Sequence, residues 1–314
     1  MLANKLIFRA LMAAIGPMLS VGTLIAEQTP RETDCSDLQK AIAEPSKATA
    51  TVRGEFLKNG KTLVQDIFLS SGQAPRTKAF LIRPYKPGRD EGGAVLFLHW
   101  LGAPPANDRT EFFEDALQLA DANVTSLLVE APWAEPEWFP NRKLDDDLTN
   151  TLRYVAQLRS YFRYLLSEAK PKADKVVFVG HDFGAMYGAL LLQQENAIRH
   201  AVIMAAVPDF ADWFLFERKL SDADSRQYRQ KISAIAPARY LRCARNADVL
   251  FQFAQNDRFV SREQASAFID SAPADKTVLW YPGGHDLQDA SRKDRVAWLV
   301  KRIEAQGSAS ESNR

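Results

Sequence analysis

Val176-Val177-Phe178-Val179-Gly180-His181-Asp182-Phe183-Gly184-Ala185-Met186-Tyr187-Gly188-Ala189-Leu190-Leu191-Leu192 is the stretch on which the fold of this chain turns. Its first four residues are β-branched or aromatic and make a short buried strand. Ala185–Leu192 is an apolar run that reads as a helix. Between them, Gly180-His181-Asp182-Phe183-Gly184 leaves no room for a loop, so the chain must turn sharply. The residue at the centre of such a turn is strained, and its neighbours two away on either side must be small. Gly180 and Gly184 meet that need. The strain aims the Asp182 side chain out of the sheet. The backbone N–H of Phe183 then faces a reacting atom from a helix N-terminus.

Strands and helices alternate on both sides of this unit. Upstream, Leu63–Leu69 and Lys78–Arg83 read as two strands joined by a Ser-Gly turn, and Ala94–His99 as a buried strand. Glu111–Ala120 is helical, Val124–Glu130 is the next strand, and Leu144–Leu166 is a long helix. Downstream, Ala201–Val207, Val249–Phe253 and Val278–Tyr281 are further strands. Ser261 and Gln264 make a capping box for one helix, and Val296, Leu299, Val300 and Ile303 mark the last. This alternation predicts an α/β fold: a mostly parallel central sheet with helices on both faces. The two opening strands have no helix between them and pair antiparallel at an edge. Ligands of such sheets gather at the carboxyl ends of the strands, so functional residues are sought just after strands.

A strand, a Gly-x-Asp-x-Gly turn and a helix in this order resemble the nucleophile elbow of the α/β-hydrolase superfamily, over about residues 60–305. The resemblance implies a nucleophile, an acid and a histidine in that chain order. Asp182 holds the nucleophile position. Asp257 follows the Val249–Phe253 strand and fits the acid; Asp209, after Ala201–Val207, is the competitor. The chain has four histidines, and only His285 follows both acids and the last strand. The loop His99-Trp100-Leu101-Gly102 stands where relatives complete an oxyanion hole. Trp100 occupies a position where glycine is common, as a source of a backbone N–H or of an indole N–H for a leaving anion.

An aspartate at the elbow changes the expected reaction. A carboxylate attacking an ester carbonyl forms a high-energy anhydride, whereas attack on saturated carbon forms an ordinary ester. His285 then activates water against that ester, and the oxyanion hole stabilises the tetrahedral species. Gly-His-Asp-aromatic-Gly is similar to the elbow of haloalkane dehalogenases and epoxide hydrolases. The body looks more like the dienelactone-hydrolase-like branch, because the lid insert is short, about residues 208–247, and Ala236–Leu241 reads Ala-Pro-Ala-Arg-Tyr-Leu. Three readings stand: a hydrolase acting through Asp182 on a carbon–halogen or epoxide substrate, an ester or lactone hydrolase, and a non-catalytic ligand-binding protein on a hydrolase scaffold. His99, Trp133, Trp138 and Tyr228 are candidates for the substrate pocket, which suits a small, partly apolar organic molecule.

The ends of the chain carry other signals. Lys5 and Arg9 precede an uncharged, mostly apolar segment to Ala26, the pattern of a secretory signal peptide over residues 1–26. An uncleaved membrane anchor is the alternative. Residues 27–50 read as an N-terminal extension, 51–306 as the hydrolase domain, and 307–314 as a disordered tail. Export, to a periplasm or outside the cell, lets the two cysteines, Cys35 and Cys243, form a disulfide. The net charge of +1 among 314 residues gives no basic excess for nucleic acid. No metal cluster or phosphate loop is legible, so no cofactor is implied, and after signal cleavage no membrane contact is expected.

Overall fold

The computed structural model describes residues 32–86, 92–102, 108–273, 275–287 and 289–304. The signal segment and the tail fall outside them. In chain order the elements are α1 (Glu32–Ala41), β1 (Ala48–Lys58), β2 (Thr62–Ser71), β3 (Thr77–Pro84), β4 (Gly93–Leu98), α2 (Phe113–Asp121), β5 (Val124–Val129), α3 (Trp138–Asn141) and α4 (Asp147–Ala169). They continue with β6 (Val176–His181), α5 (Phe183–Gln194), β7 (His200–Met204), α6 (Phe210–Phe214), α7 (Asp222–Ile232), α8 (Pro237–Leu241), β8 (Asp248–Ala254), α9 (Arg262–Ser271), β9 (Lys276–Tyr281) and α10 (Asp289–Glu304).

The nine strands form one sheet in the order β1-β2-β3-β5-β4-β6-β7-β8-β9. From β5 to β9 every pairing is parallel; β1, β2 and β3 are antiparallel to their neighbours. The expectation of two opening strands is corrected to three. β1 escapes a pattern search because Thr51–Lys58 is exposed on both faces, so no alternation of buried apolar residues marks it.

Strands at the centre feed a core on each face. Leu96, Leu98 and Phe178 join the side covered by α4 and α5, while Val95, Phe97, Val177 and Val179 join the side of α2 and α10. α5 is buried along its whole length, which explains why its sequence is apolar all round. Cys35 on α1 is bonded to Cys243, just after α8, and so pins the N-terminal helix to the body. None of the described helices is long and apolar enough to cross a membrane.

Candidate active site

Asp182 is the residue between β6 and α5, with φ 57° and ψ −123°. That is a left-handed conformation costing a non-glycine residue roughly 1–3 kcal/mol. A Cβ added at Gly180 meets the Gly184 backbone at 2.7 Å, and one at Gly184 meets the Leu98 carbonyl oxygen at 2.2 Å. Both glycines are therefore obligatory for this turn to press against β4.

His285 lies on the loop after β9, and Asp257 on the loop after β8. The His285 Nδ1 donates to Asp257, at 2.8 Å to Oδ2 and 3.0 Å to Oδ1. Its Nε2 stands 3.9 Å from Asp182 Oδ1. The three residues that the chain order suggested thus converge from β6, β8 and β9. Asp257 also accepts the backbone N–H groups of Phe259 and Val260, at 2.8 and 3.0 Å. Burial works against its charge, but the bond to His285 and these N–H groups outweigh it and hold the carboxyl below its usual range. Burial likewise opposes a charge on His285. Asp182 and Asp257 overcome it and raise the imidazole to about 9. Asp209 takes no part: it caps α6, accepting the Ala211 N–H at 2.8 Å, and burial pushes its carboxyl up.

The oxyanion loop corrects one expectation. The Trp100 N–H donates to Glu111 Oε2 at 2.9 Å, away from the elbow. The N–H that faces Asp182 is that of Leu101, which donates to Oδ2 at 2.7 Å. The Trp100 indole lies flat on His181 and lines the pocket. Phe183 opens α5, and its ring walls the same pocket.

That pocket, of about 460 Å³, is lined by Trp100, Leu101, Gly102, Phe139, Asp182, Phe183, Trp213, Phe216, Glu217, Phe259 and His285. Aromatic rings form most of its walls; Asp182, Glu217 and His285 are its titratable groups. Four expected pocket residues are elsewhere. His99 is buried behind the oxyanion loop, where Nε2 accepts the Ala131 N–H and Nδ1 donates to the Trp100 carbonyl, both at 2.8 Å. Burial lowers its basicity. Trp133 is fully buried and donates from its indole to the His99 carbonyl. Trp138 packs edge-on against Phe183 and Trp133 from behind the pocket wall. Tyr228, on α7 of the lid insert, is buried and donates its hydroxyl to Asp147. His99, Trp133 and Tyr228 are scaffold residues because their polar atoms already have protein partners. Leu101, Phe259 and Glu111 were missed. Phe259 had a positional signal, two residues after the acid; Glu111 looked like an ordinary helix-start carboxylate. Among the described residues no three His, Cys, Asp or Glu side chains come together as a metal site.

A family model described as the alpha/beta hydrolase family matches residues 95–300. No curated protein matches the chain in sequence. Acetyl xylan esterase 1 from Thermoanaerobacterium sp. JW/SL YS485 is 12% identical, with 87% of this chain and 93% of that chain covered and a TM-score of 0.63. The 2,6-dihydroxy-pseudo-oxynicotine hydrolase is 14% identical, with 87% and 72% covered and a TM-score of 0.57. An acetyl xylan esterase from Paenibacillus sp. R4 is 12% identical, with 86% and 92% covered and a TM-score of 0.63. Identities this low show a shared fold.

Proposed function

The chain belongs to the alpha/beta hydrolase family, and from that premise we propose that it hydrolyses a small, partly apolar substrate with Asp182 as nucleophile, His285 as base and Asp257 as the acid that orients it. Membership of a hydrolase family favours an enzyme over a non-catalytic binding protein. The observation that carries the reading is the 2.7 Å bond from the Leu101 N–H to Asp182 Oδ2. In a serine-type hydrolase that donor awaits an oxygen of the substrate. Here it holds an oxygen of the enzyme's own carboxylate.

A chemical cycle follows. Asp182 Oδ1 attacks a saturated carbon, displacing a halide or opening an epoxide, and an alkyl-enzyme ester forms. Oδ2 becomes the carbonyl oxygen of that ester, still on the Leu101 N–H. Water loses a proton to His285 and attacks the carboxyl carbon. The charge that develops on Oδ2 is stabilised where it arises. Collapse expels the alcohol, which takes the proton from His285; the Asp182 carboxyl then gives up the remaining proton of the attacking water to the imidazole or to solvent, and the carboxylate is regenerated.

The histidine's charge fits the two halves. With both carboxylates ionised, His285 is raised to about 9 and is protonated at neutral pH, so it can give a proton to a leaving alkoxide. Esterification removes the Asp182 charge, one of the influences that raised it. The imidazole then becomes a base in time for the second half.

A second reading is ester or lactone cleavage, with Asp182 as base or electrostatic helper. The named fold neighbours favour it, two of them being acetyl xylan esterases. So does the short lid. A single turnover in water labelled with heavy oxygen separates the two, on a panel of bromobutane, styrene oxide, nitrophenyl acetate and butyrolactone. Label in the Asp182 carboxylate supports the nucleophile; label in the product alone removes it. The Cys35–Cys243 bond supports an exported protein, since such bridges persist in oxidising compartments.

A further inference from the structure

Glu111 lies in the turn before α2 and does not line the substrate pocket. Its carboxylate nevertheless contacts the loop after β4 and the last residue of β6, and through that residue the loop after β9. Oε2 accepts the Trp100 N–H, on the loop after β4, at 2.9 Å. Oε1 accepts from Nδ1 of His181, the residue before the elbow, at 2.7 Å. The opposite nitrogen of that ring, Nε2, stands 2.9 Å from the backbone carbonyl of His285, on the loop after β9. The ring is completely buried and stacked under the Trp100 indole, with centroids 5.1 Å apart and planes 2° from parallel. Both nitrogens of His181 face oxygen acceptors.

We propose that Glu111, acting through His181, is a positioning residue that fixes the oxyanion loop, the elbow and the histidine loop as one unit. The proposal rests on the reading of Asp182, His285 and Asp257 as the reacting groups. Its logic is geometric. Leu101 follows Trp100, so freeing the Trp100 N–H lets the Leu101 N–H drift from Asp182. Freeing the His285 carbonyl lets the imidazole turn away from both aspartates. A displacement of about 1 Å in such a constellation costs on the order of a hundredfold in rate.

The test needs no substrate at its first stage. Imidazole NMR of the resting, intact protein reports the His285 Nδ1–H bonded to Asp257. In Glu111→Ala this resonance should move or broaden. In Glu111→Gln it should return, because the amide keeps an acceptor for Trp100 and offers its N–H to Nδ1 of a His181 ring that carries its proton on Nε2, toward the His285 carbonyl. Should the alanine variant not fold, Glu111→Asp serves: its carboxylate is one methylene too short to reach both partners, and the same disturbance is expected. On whichever panel compound the wild type turns over, Glu111→Ala should lower kcat about a hundredfold with KM within about twofold, and Gln should restore most of it. An undisturbed His285 resonance in the alanine or aspartate variant overturns the proposal. So does a loss confined to KM. A disturbed resonance in a protein whose wild type accepts nothing on the panel leaves the positioning role standing and removes the functional reading instead.

Discussion

Asp182 and Asp257 stand at opposite ends of the His285 ring. Asp257 takes the Nδ1–H at 2.8 Å, together with two backbone N–H groups, and so is held by three donors. Asp182 sits 3.9 Å from Nε2 on a strained turn, with one backbone N–H on one of its oxygens. A carboxylate held by three donors, one of them the imidazole, orients its neighbour and is a poor nucleophile. One held by a single donor at the wall of an apolar pocket has an oxygen left to react. Identical side chains thus differ in role because the backbone around them differs. The elbow has a conformation to maintain; the Asp257 loop has only hydrogen bonds to make.

The largest expected effect breaks the comparison at its reactive end. Asp182→Asn keeps the shape of the turn and removes the nucleophilic oxygen. Turnover should fall by at least about ten-thousandfold, and no mass should be gained on the peptide carrying position 182. Residual activity near the wild-type level would reduce Asp182 to a bystander. At the other end, Asp257→Asn removes the anionic acceptor that fixes the His285 tautomer, since the amide offers an N–H as well as an oxygen. A fall of about a thousandfold or more is expected in the overall rate. Under single-turnover conditions the alkyl-enzyme should accumulate, because the first half needs no base and the second does. Equal losses in both halves would mean that Asp257 does more than orient the ring.

How this asymmetry was written in the sequence can be seen residue by residue. Gly180 and Gly184 announced the strained turn, because steric exclusion at fixed spacing is a local property. His285 and Asp257 were legible from the chain order that the family resemblance implied, each placed just after a strand, with Asp209 left as a rival acid. The oxyanion donor was not: whether Trp100 or Leu101 turns its N–H inward depends on Glu111, which no spacing rule connects to that loop. The aromatic candidates failed for a related reason. His99, Trp133 and Tyr228 have the composition of a pocket wall, but their polar atoms are spent on Ala131, the His99 carbonyl and Asp147. Composition identifies aromatic clusters; only partners reveal which side of the wall they occupy. The strand β1 was missed because its exposed face pattern lacks any period.

Between the extremes lies the charge that both aspartates place on His285. The folded value, about 9, is above the ordinary 6.5 of an unfolded histidine. A raised value means that the stabilisation is present in full below about pH 6.5 and is lost as pH rises through about 9. The shift corresponds to roughly 3 kcal/mol. Urea midpoints should therefore fall across that window for the wild type. The fall should shrink in Asp182→Asn and in Asp257→Asn alike, since each variant removes one of the anions. An unchanged slope in both would show that His285 is neutral in the resting protein.

The smallest effect concerns the third aspartate, the one that chain order offered as a rival acid. Asp209 follows β7 as Asp257 follows β8, yet its carboxylate turns back on its own helix and accepts the Ala211 N–H at 2.8 Å. A helix cap is worth about 1 kcal/mol, and α6 is only a five-residue helix, so the local cost of losing it stays near that value. Asp209→Ala should lower stability by about 1 kcal/mol and leave turnover within about twofold of the wild type. The measurement pairs a urea melt with kcat on the same preparation, so that a folding defect is not mistaken for a catalytic one. If Asp209→Ala instead abolished turnover in a protein that melts normally, and Asp257→Asn spared it, the acid would lie after β7. The 2.8 Å contact between Asp257 and His285 would then be a structural bond alone. Both carboxylates accept a backbone N–H two residues on, and the two loops differ in that only Asp257 also accepts from the ring.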